Sequence, residues 1–387
     1  MSRVLLITKG TYGDIVPFVV LGSALKARGH DVILISQCHY APMAKRAGLE
    51  FDSWDTEEQY AAFVADFDLL QTPAGMRRFA HSHEFPQLQA EYRTIERQIR
   101  PADTVMLARH IGSLAAQFVS ERTNTPLGSV FIAVSQAECF PVFVAFQQQI
   151  LGEEINERRR AFGLPNVTNW EVWSKLPRRF FGCWPAWFAS PSPVWPDRFT
   201  NVGFGHDECV ETGALPPDLL DFIRENPVLI SAGTGLSQHS RKFYAAAADA
   251  CRLSGTAAIL VCRHEQLVPH QIGGSIRWFK ELPFASLMPH VPVVIHHGGT
   301  GTFVRAMRGG VPQVILAWGA DRPDNARRLE ELRLAAHLPP PRWRPEEIAA
   351  AMAKLQSSRE VAVACRQARE AVMSNDLAEA CKAVESM

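Results

Sequence analysis

The chain opens with a short apolar run, Val4 to Ile7, that breaks into the polar, glycine-containing stretch Lys9-Gly10-Thr11-Tyr12-Gly13-Asp14. An apolar-periodic segment from Pro17 to Ala27 follows, closes at Arg28–Gly29, and gives way to a second apolar run, Asp31 to Ser36. Strand, glycine-containing turn, helix and strand make a βαβ unit, and such units pair their strands in parallel. Thr104–Leu107 and Leu127–Val134 predict further strands flanked by helical stretches. Residues 184–205 are rich in Pro and Trp and predict a fixed, aromatic-packed connector rather than a regular element.

Beyond that tract the series restarts. Pro227–Gly233 predicts a strand and turn, an Ala-rich helix lies near 241–253, and Thr256–Cys262 predicts a strand. Pro292–Gly299 predicts a strand and turn, a helix follows at about 302–308, and Val311–Leu316 predicts another strand. The remainder reads as helical, with a Pro/Arg-rich break at Leu338–Pro345. The pattern is that of two doubly wound α/β domains, each with its own parallel sheet. Ligands of such sheets bind beyond the carboxyl ends of the strands. Chemistry is therefore expected at Lys9–Asp14, at Ser231–Gly235 and at His296–Thr302.

Composition narrows this little. The chain has 387 residues, beyond one ordinary core. Forty basic residues balance forty acidic ones, so the broad positive field of a nucleic-acid binder is missing. The amino-terminal apolar run is too short for a signal-peptide core, and no stretch approaches the ~20 apolar residues of a membrane span. The eight cysteines show no C-x-x-C pair or zinc-like spacing. A cytoplasmic protein with reduced thiols is the expectation.

The stretch His296-His297-Gly298-Gly299-Thr300-Gly301-Thr302 carries the most specific chemistry. Small residues between a strand and a helix let a ligand approach the backbone, and the first helical turn offers unpaired N–H groups with partial positive charge. A phosphate suits that position. The Walker lysine is missing, and Val304 stands where a dinucleotide fingerprint needs its third glycine. A tight turn with His296 satisfied in the core remains the alternative. His297, pointing to the opposite face of the strand, is the weaker of the pair. No third residue at suggestive spacing makes a metal site.

His296-HGGTGTFVRAMRGGVPQVILAWGADRPDNARRL closely resembles the donor-binding signature of nucleotide-sugar glycosyltransferases of the GT-B fold. KGTYGDIVPFVVLGSALKARGHDV resembles the amino-terminal strand, loop and helix of that family. FFGCWPAWFASPSPVWPDRFTNVGFG resembles the pre-linker segment of its bacterial branch, which contains rhamnolipid rhamnosyltransferase beside sterol and antibiotic glycosyltransferases. The resemblance implies an α/β chain of GT-B architecture, two doubly wound Rossmann-like domains facing a central cleft. Residues 1–204 would bind the acceptor and 205–370 the nucleotide-sugar, with 371–387 a terminal helix packing back on the first domain.

The resemblance also implies roles. His296, Gly298, Gly299, Thr300, Gly301 and Thr302 would grip the diphosphate, with Gly233 and Thr234 nearby, in place of a metal ion. Neither a metal nor a cofactor is expected, because the nucleotide-sugar is a co-substrate. Asp14 would be the base that deprotonates an acceptor hydroxyl, against the alternative that it merely caps the helix. Asp321 would bind sugar hydroxyls. Two positions depart from the family pattern. Arg322 replaces a usual Gln, through either a surface salt bridge to Asp324 or Glu330 or an altered donor sugar. Glu281 stands where an aromatic residue normally stacks on the base; Leu282 backbone groups and the rings of Trp278, Phe279 or Phe284 are the substitutes, with uridine or thymidine expected.

Trp54, Phe63, Phe67, Phe79, Phe85 and Phe140–Phe146 supply surface for an acceptor pocket, with His81–Glu84 as a polar wall or a helix start. The stretch Glu138 to Gly163 is shorter than in lipid-directed relatives, which points to a smaller acceptor. The expected activity is inverting transfer of a hexose or deoxyhexose from a nucleoside-diphosphate sugar to a small, partly hydrophobic natural product or lipid. The expected partners are that sugar and the small-molecule acceptor, without nucleic acid or a membrane span. A nucleotide-sugar epimerase and a non-catalytic nucleotide-binding partner protein are the alternatives.

Overall fold

The structure, a computed structural model, describes residues 2–110, 112–205, 213–233, 241–270 and 272–387. The chain forms two compact units, Met1–Val210 together with Asp376–Met387, and Glu211–Asn375.

The first unit is built on seven strands: β1 (Arg3–Ile7), β2 (Asp31–Ile35), β3 (Glu50–Asp52), β4 (Thr104–Arg109), β5 (Leu127–Phe131), β6 (Arg179–Gly182) and β7 (Phe199–Asn201). They run parallel in the order β3-β2-β1-β4-β5-β6-β7. Val4, Leu5, Leu6 and Ile7 are all fully buried, which is why β1 is apolar on both faces: helices cover each side of a parallel sheet. The Ala378–Glu385 helix returns to this unit, and Ala380, Cys381 and Val384 join Phe18, Val20 and Leu21 in one core.

The second unit carries β8 (Val228–Ser231), β9 (Ala258–Val261), β10 (Ile276–Phe279), β11 (Val294–His296), β12 (Gln313–Ile315) and β13 (Ala335–His337). They are parallel in the order β10-β9-β8-β11-β12-β13. In both sheets the strand order reverses once, between β1 and β4 and between β8 and β11. That reversal opens the crevice in which open α/β sheets take ligands.

Three local expectations need correction. The first helix begins at Tyr12, not Pro17, because Thr11 and Asp14 together cap it. The strand expected over Leu127–Val134 stops at Phe131, and Val134 opens a short helix. Residues 184–205 are not only a connector: they supply β7, and the rings of Trp184, Trp195 and Phe199 pack on one another beside it, with centroids 5.5 and 4.7 Å apart along that chain.

Candidate active site

In the second unit, β11 ends on His296 and the chain turns through Gly298 into the Thr300–Gly309 helix, whose N-cap is Gly299. The N–H groups of Thr302 and Phe303 bond back to the Gly299 carbonyl. Those before them have no place in the helical ladder and point beyond the sheet. Gly298 holds φ +94°, which a side chain would strain, and a Cβ there would lie 3.1–3.3 Å from Ile315 and Arg322.

His296 does not face this turn's ligand side. Its ring is fully buried; Nδ1 accepts the Gly298 N–H at 3.1 Å, and Nε2 donates to Gln313 Oε1 at 2.9 Å. Gln313 pairs in register with Val294, two residues before His296, so the two side chains share a face of the sheet. Burial lowers the imidazole pKa to about 4, which the Gln313 bond only partly resists. The ring is thus neutral, with its one proton already committed. Both ring nitrogens have partners inside the chain, Gly298 N–H and Gln313, at the residue expected to contact the phosphate. His297 points the other way, and its ring lies where a Cβ on Gly233 or on Gly299 would go. It fills the space between the two glycine turns that follow β8 and β11.

The loop after β12 adds a third arm. Asp321 precedes the Arg322–Glu331 helix, and Asn325 Nδ2 reaches both Gly298 O (3.0 Å) and Asp321 Oδ2 (2.8 Å). Arg322 is 5% exposed and forms neither of the surface salt bridges anticipated for it. Asp324 pairs instead with Arg327 and Arg328, and Glu330 accepts from the His337 N–H.

In the first unit the ends of β1 and β4 meet. The Asp14 carboxylate accepts from the Thr11 N–H (2.6 Å) and hydroxyl (3.0 Å) through Oδ2, and Oδ1 is ion-paired with Arg109 Nη2 at 2.9 Å. Gly10 permits this: it holds φ +135°, and a Cβ there would collide with the Asp14 carboxylate. Lys9 is buried between Glu84 (2.5 Å) and Glu91 (3.1 Å), and Ser113 donates to the other Glu91 oxygen at 2.7 Å. Burial alone would lower the Lys9 pKa, but the two carboxylates outweigh it and raise it well above normal. His110 stacks on Phe131 at 4.0 Å, shares Nδ1 with Ser129, and is held neutral by burial, its pKa lowered to about 3. A cavity of about 50 Å³ lies there, lined by Arg109, His110, Ser113, Gln117, Phe143 and Trp173.

Residues 254–387 match the family described as erythromycin biosynthesis protein CIII-like, C-terminal domain. The whole chain is similar to O-mycaminosyltylonolide 6-deoxyallosyltransferase of Streptomyces fradiae, at 28% identity over 99% of this chain and 97% of that protein. Among solved structures it resembles the calicheamicin glycosyltransferase CalG4 (TM-score 0.75, 20% identity, 100% and 98% of the two chains). It likewise resembles the glycosyltransferase VinC in complex with dTDP (TM-score 0.69, 18% identity, 100% of each chain). The chain is a nucleotide-sugar glycosyltransferase of the GT-B fold.

Within this glycosyltransferase the other expected site residues separate into groups. Gly298, Gly299, Thr300, Gly301 and Thr302 sit together at the helix start, and Gly233 adjoins them through His297. Thr234 lies outside the described residues. Glu281 is a largely exposed acid paired with Arg263 at 3.1 Å, while the Leu282 side chain is buried in the core with Phe284. Phe279 packs against that same core, and Trp278 Nε1 donates to Cys262 O at 2.9 Å, while both rings stay partly exposed. His81–Glu84 is not a helix start: it lies in a π-helical turn within a longer helical run, from which Glu84 meets Lys9. Arg109, His110 and Glu91, and the partners of Lys9, escaped the sequence argument. Their signal is topological: β4 is the strand beside β1 at the order reversal. Among the described residues no helix is long and apolar enough to cross a membrane, and no His/Cys/Asp/Glu cluster could hold a metal.

Proposed function

We propose that this glycosyltransferase moves a hexose or deoxyhexose from a nucleoside-diphosphate sugar to a hydroxyl of a small, partly hydrophobic natural product, with inversion at the anomeric carbon. The observation that carries the proposal is the turn Gly298–Gly299 opening the Thr300–Gly309 helix, with the His297 ring set between it and Gly233. Supporting it, the relative from Streptomyces fradiae is a 6-deoxyallosyltransferase, and VinC was solved with dTDP. A thymidine or uridine diphosphate sugar fits that company.

In the proposed reaction Asp14 takes the proton of the acceptor hydroxyl through the lone pair that its three present contacts leave unused. The oxygen attacks the anomeric carbon from the face opposite the diphosphate. The carbon–oxygen bond to the diphosphate breaks, and the nucleoside diphosphate leaves with the electron pair. The charge growing on the leaving group meets the first N–H groups of the Thr300–Gly309 helix, the hydroxyls of Thr300 and Thr302, and His297 in place of His296. This set serves without a metal ion, and Asp321 holds the sugar hydroxyls.

The test is a panel of nucleoside-diphosphate sugars incubated with the enzyme and candidate aglycones in the presence of EDTA, with product configuration read by NMR. A product of inverted configuration is expected. A retained configuration sinks the single-displacement mechanism, and strict dependence on an added divalent cation sinks the metal-independent one. Sugar donor converted to an epimer without any acceptor favours the epimerase alternative.

A further inference from the structure

Arg322 presents an unusual electrostatic situation. Its side chain belongs to a residue only 5% exposed, yet no hydrogen bond or ion pair to the described chain engages its guanidinium, and Nη1 is buried without a partner. Its surroundings are a ring and a neighbouring charge: the guanidinium carbon stands 6.0 Å from the Trp318 centroid, and the adjacent Asp321 carboxylate acts on it at a distance. Burial pushes its pKa below the ordinary value, and Asp321 only partly restores it.

Leaving a buried charged group without partners is costly, and a neutral side chain of similar length would avoid the cost. The place of the residue, rather than of the guanidinium itself, suggests what offsets it. The Arg322 carbonyl and Cβ lie 3.2 and 3.3 Å from where a Gly298 Cβ would be, and Asn325 ties Gly298 to Asp321. The arginine is thus built onto the glycine turn at the amino end of the Thr300–Gly309 helix, an end that already favours negative charge. A sugar hydroxyl would leave the positive charge uncompensated. A carboxylate or phosphate matches both the charge and the planar fork of N–H groups.

We propose that Arg322 is an oxyanion receptor in the sugar-donor site, engaging either a carboxylate on the transferred sugar or an oxygen of the diphosphate. This rests on the glycine turn being the nucleotide-sugar site. A sugar bearing an ammonium group is disfavoured there in either case.

The experiment compares wild type, Arg322→Gln and Arg322→Lys by calorimetric titration and thermal melting. The probes are dTDP and UDP, their glucose conjugates, UDP-glucuronate and a UDP-linked amino sugar. If the oxyanion is a sugar carboxylate, Arg322→Gln loses roughly 10- to 100-fold in affinity for UDP-glucuronate and keeps its affinity for UDP and UDP-glucose. If it is the diphosphate, the same loss falls on every probe. Arg322→Lys keeps part of the affinity in both arms, having charge without the fork. Without ligand, Arg322→Gln melts at the wild-type temperature or above, because an uncompensated buried charge has been removed. Unchanged affinity for all probes in Arg322→Gln overturns the proposal. So does a lowered melting point of the unliganded variant with no ligand-selective loss, the signature of a structural arginine. Wild type that binds no nucleoside diphosphate overturns the sugar-donor reading itself.

Discussion

The Asp14 carboxylate lies 2.9 Å from the Arg109 guanidinium, so the acid after β1 and the base at the end of β4 are joined across the point where the strand order reverses. The same carboxylate accepts two bonds from Thr11. Asp14 therefore stands in the third position of its helix, closing the cap from inside, with Thr11 as the N-cap. Capping and base chemistry are compatible: a carboxylate offers about four lone-pair directions, the two Thr11 bonds take those of Oδ2, and Oδ1 meets Arg109 as an ion pair.

Replacing Asp14 with Asn keeps the size and one acceptor oxygen but removes the base. Turnover is expected to fall roughly 100- to 10,000-fold, with nucleotide-sugar affinity unchanged. Stability falls by about 1 kcal/mol from the weakened cap. Steady-state kinetics beside a denaturant melt check both. Turnover near wild type would leave Asp14 a helix cap alone.

The two histidines after β11 are expected to separate cleanly. His297→Ala weakens dTDP binding about tenfold, the effect of losing one contact to a charged group, and lowers stability less than His296→Ala does, through the space its ring leaves. His296→Ala strips Gln313 and the Gly298 N–H of their buried partner and lowers stability by about 2–4 kcal/mol. Its residual dTDP affinity, measured on the folded fraction, stays closer to wild type. The reverse pattern would restore His296 as the phosphate contact.

Much of this was legible in the chain. Apolar runs bounded by glycine marked β1, β2, β8, β9, β11 and β12, because strands buried on both faces must be apolar throughout. The short edge strands β3, β7 and β13 carry no such run, and β7 hides within a Pro/Trp tract. The glycine turn at 298–299 was visible as a motif. Which of two adjacent histidines faces outward was not, since alternation along a strand says that they differ but not which face is which. Gln313 decides it, and only the β11–β12 register brings Gln313 to His296. Lys9, Glu91 and Arg109 are far apart in sequence and meet only through the order of the strands.

Lys9 gives a prediction of the opposite sign to Arg322. It is a buried charge with both partners in place, and Glu91 beside it is 1% exposed. Lys9→Met leaves Glu91 buried with a pKa that burial already raises, and should cost about 3–5 kcal/mol. Adding Glu91→Leu removes the stranded acid and recovers most of that loss. A double-mutant cycle in urea measures the coupling, and simple additivity of the two single losses would contradict it.

The same physics makes the fold sensitive to acid. His296 titrates near pH 4 in the folded chain and His110 near pH 3, both lowered by burial, whereas an unfolded histidine titrates near 6.5. Between those values the unfolded chain binds protons that the folded chain refuses. Stability is therefore full above pH 6.5 and declines as pH falls through 6 and 5, levelling for His296 only below about 4. The contribution of His296 is about 3 kcal/mol across that window. Urea melts between pH 4.5 and 7.5 should show the decline in wild type. In His296→Asn, which starts lower, the slope should be shallower by about one proton's worth, leaving that of His110. An equal slope in both proteins would mean that His296 is not held neutral, and with it would fall the argument that its ring is closed to a phosphate.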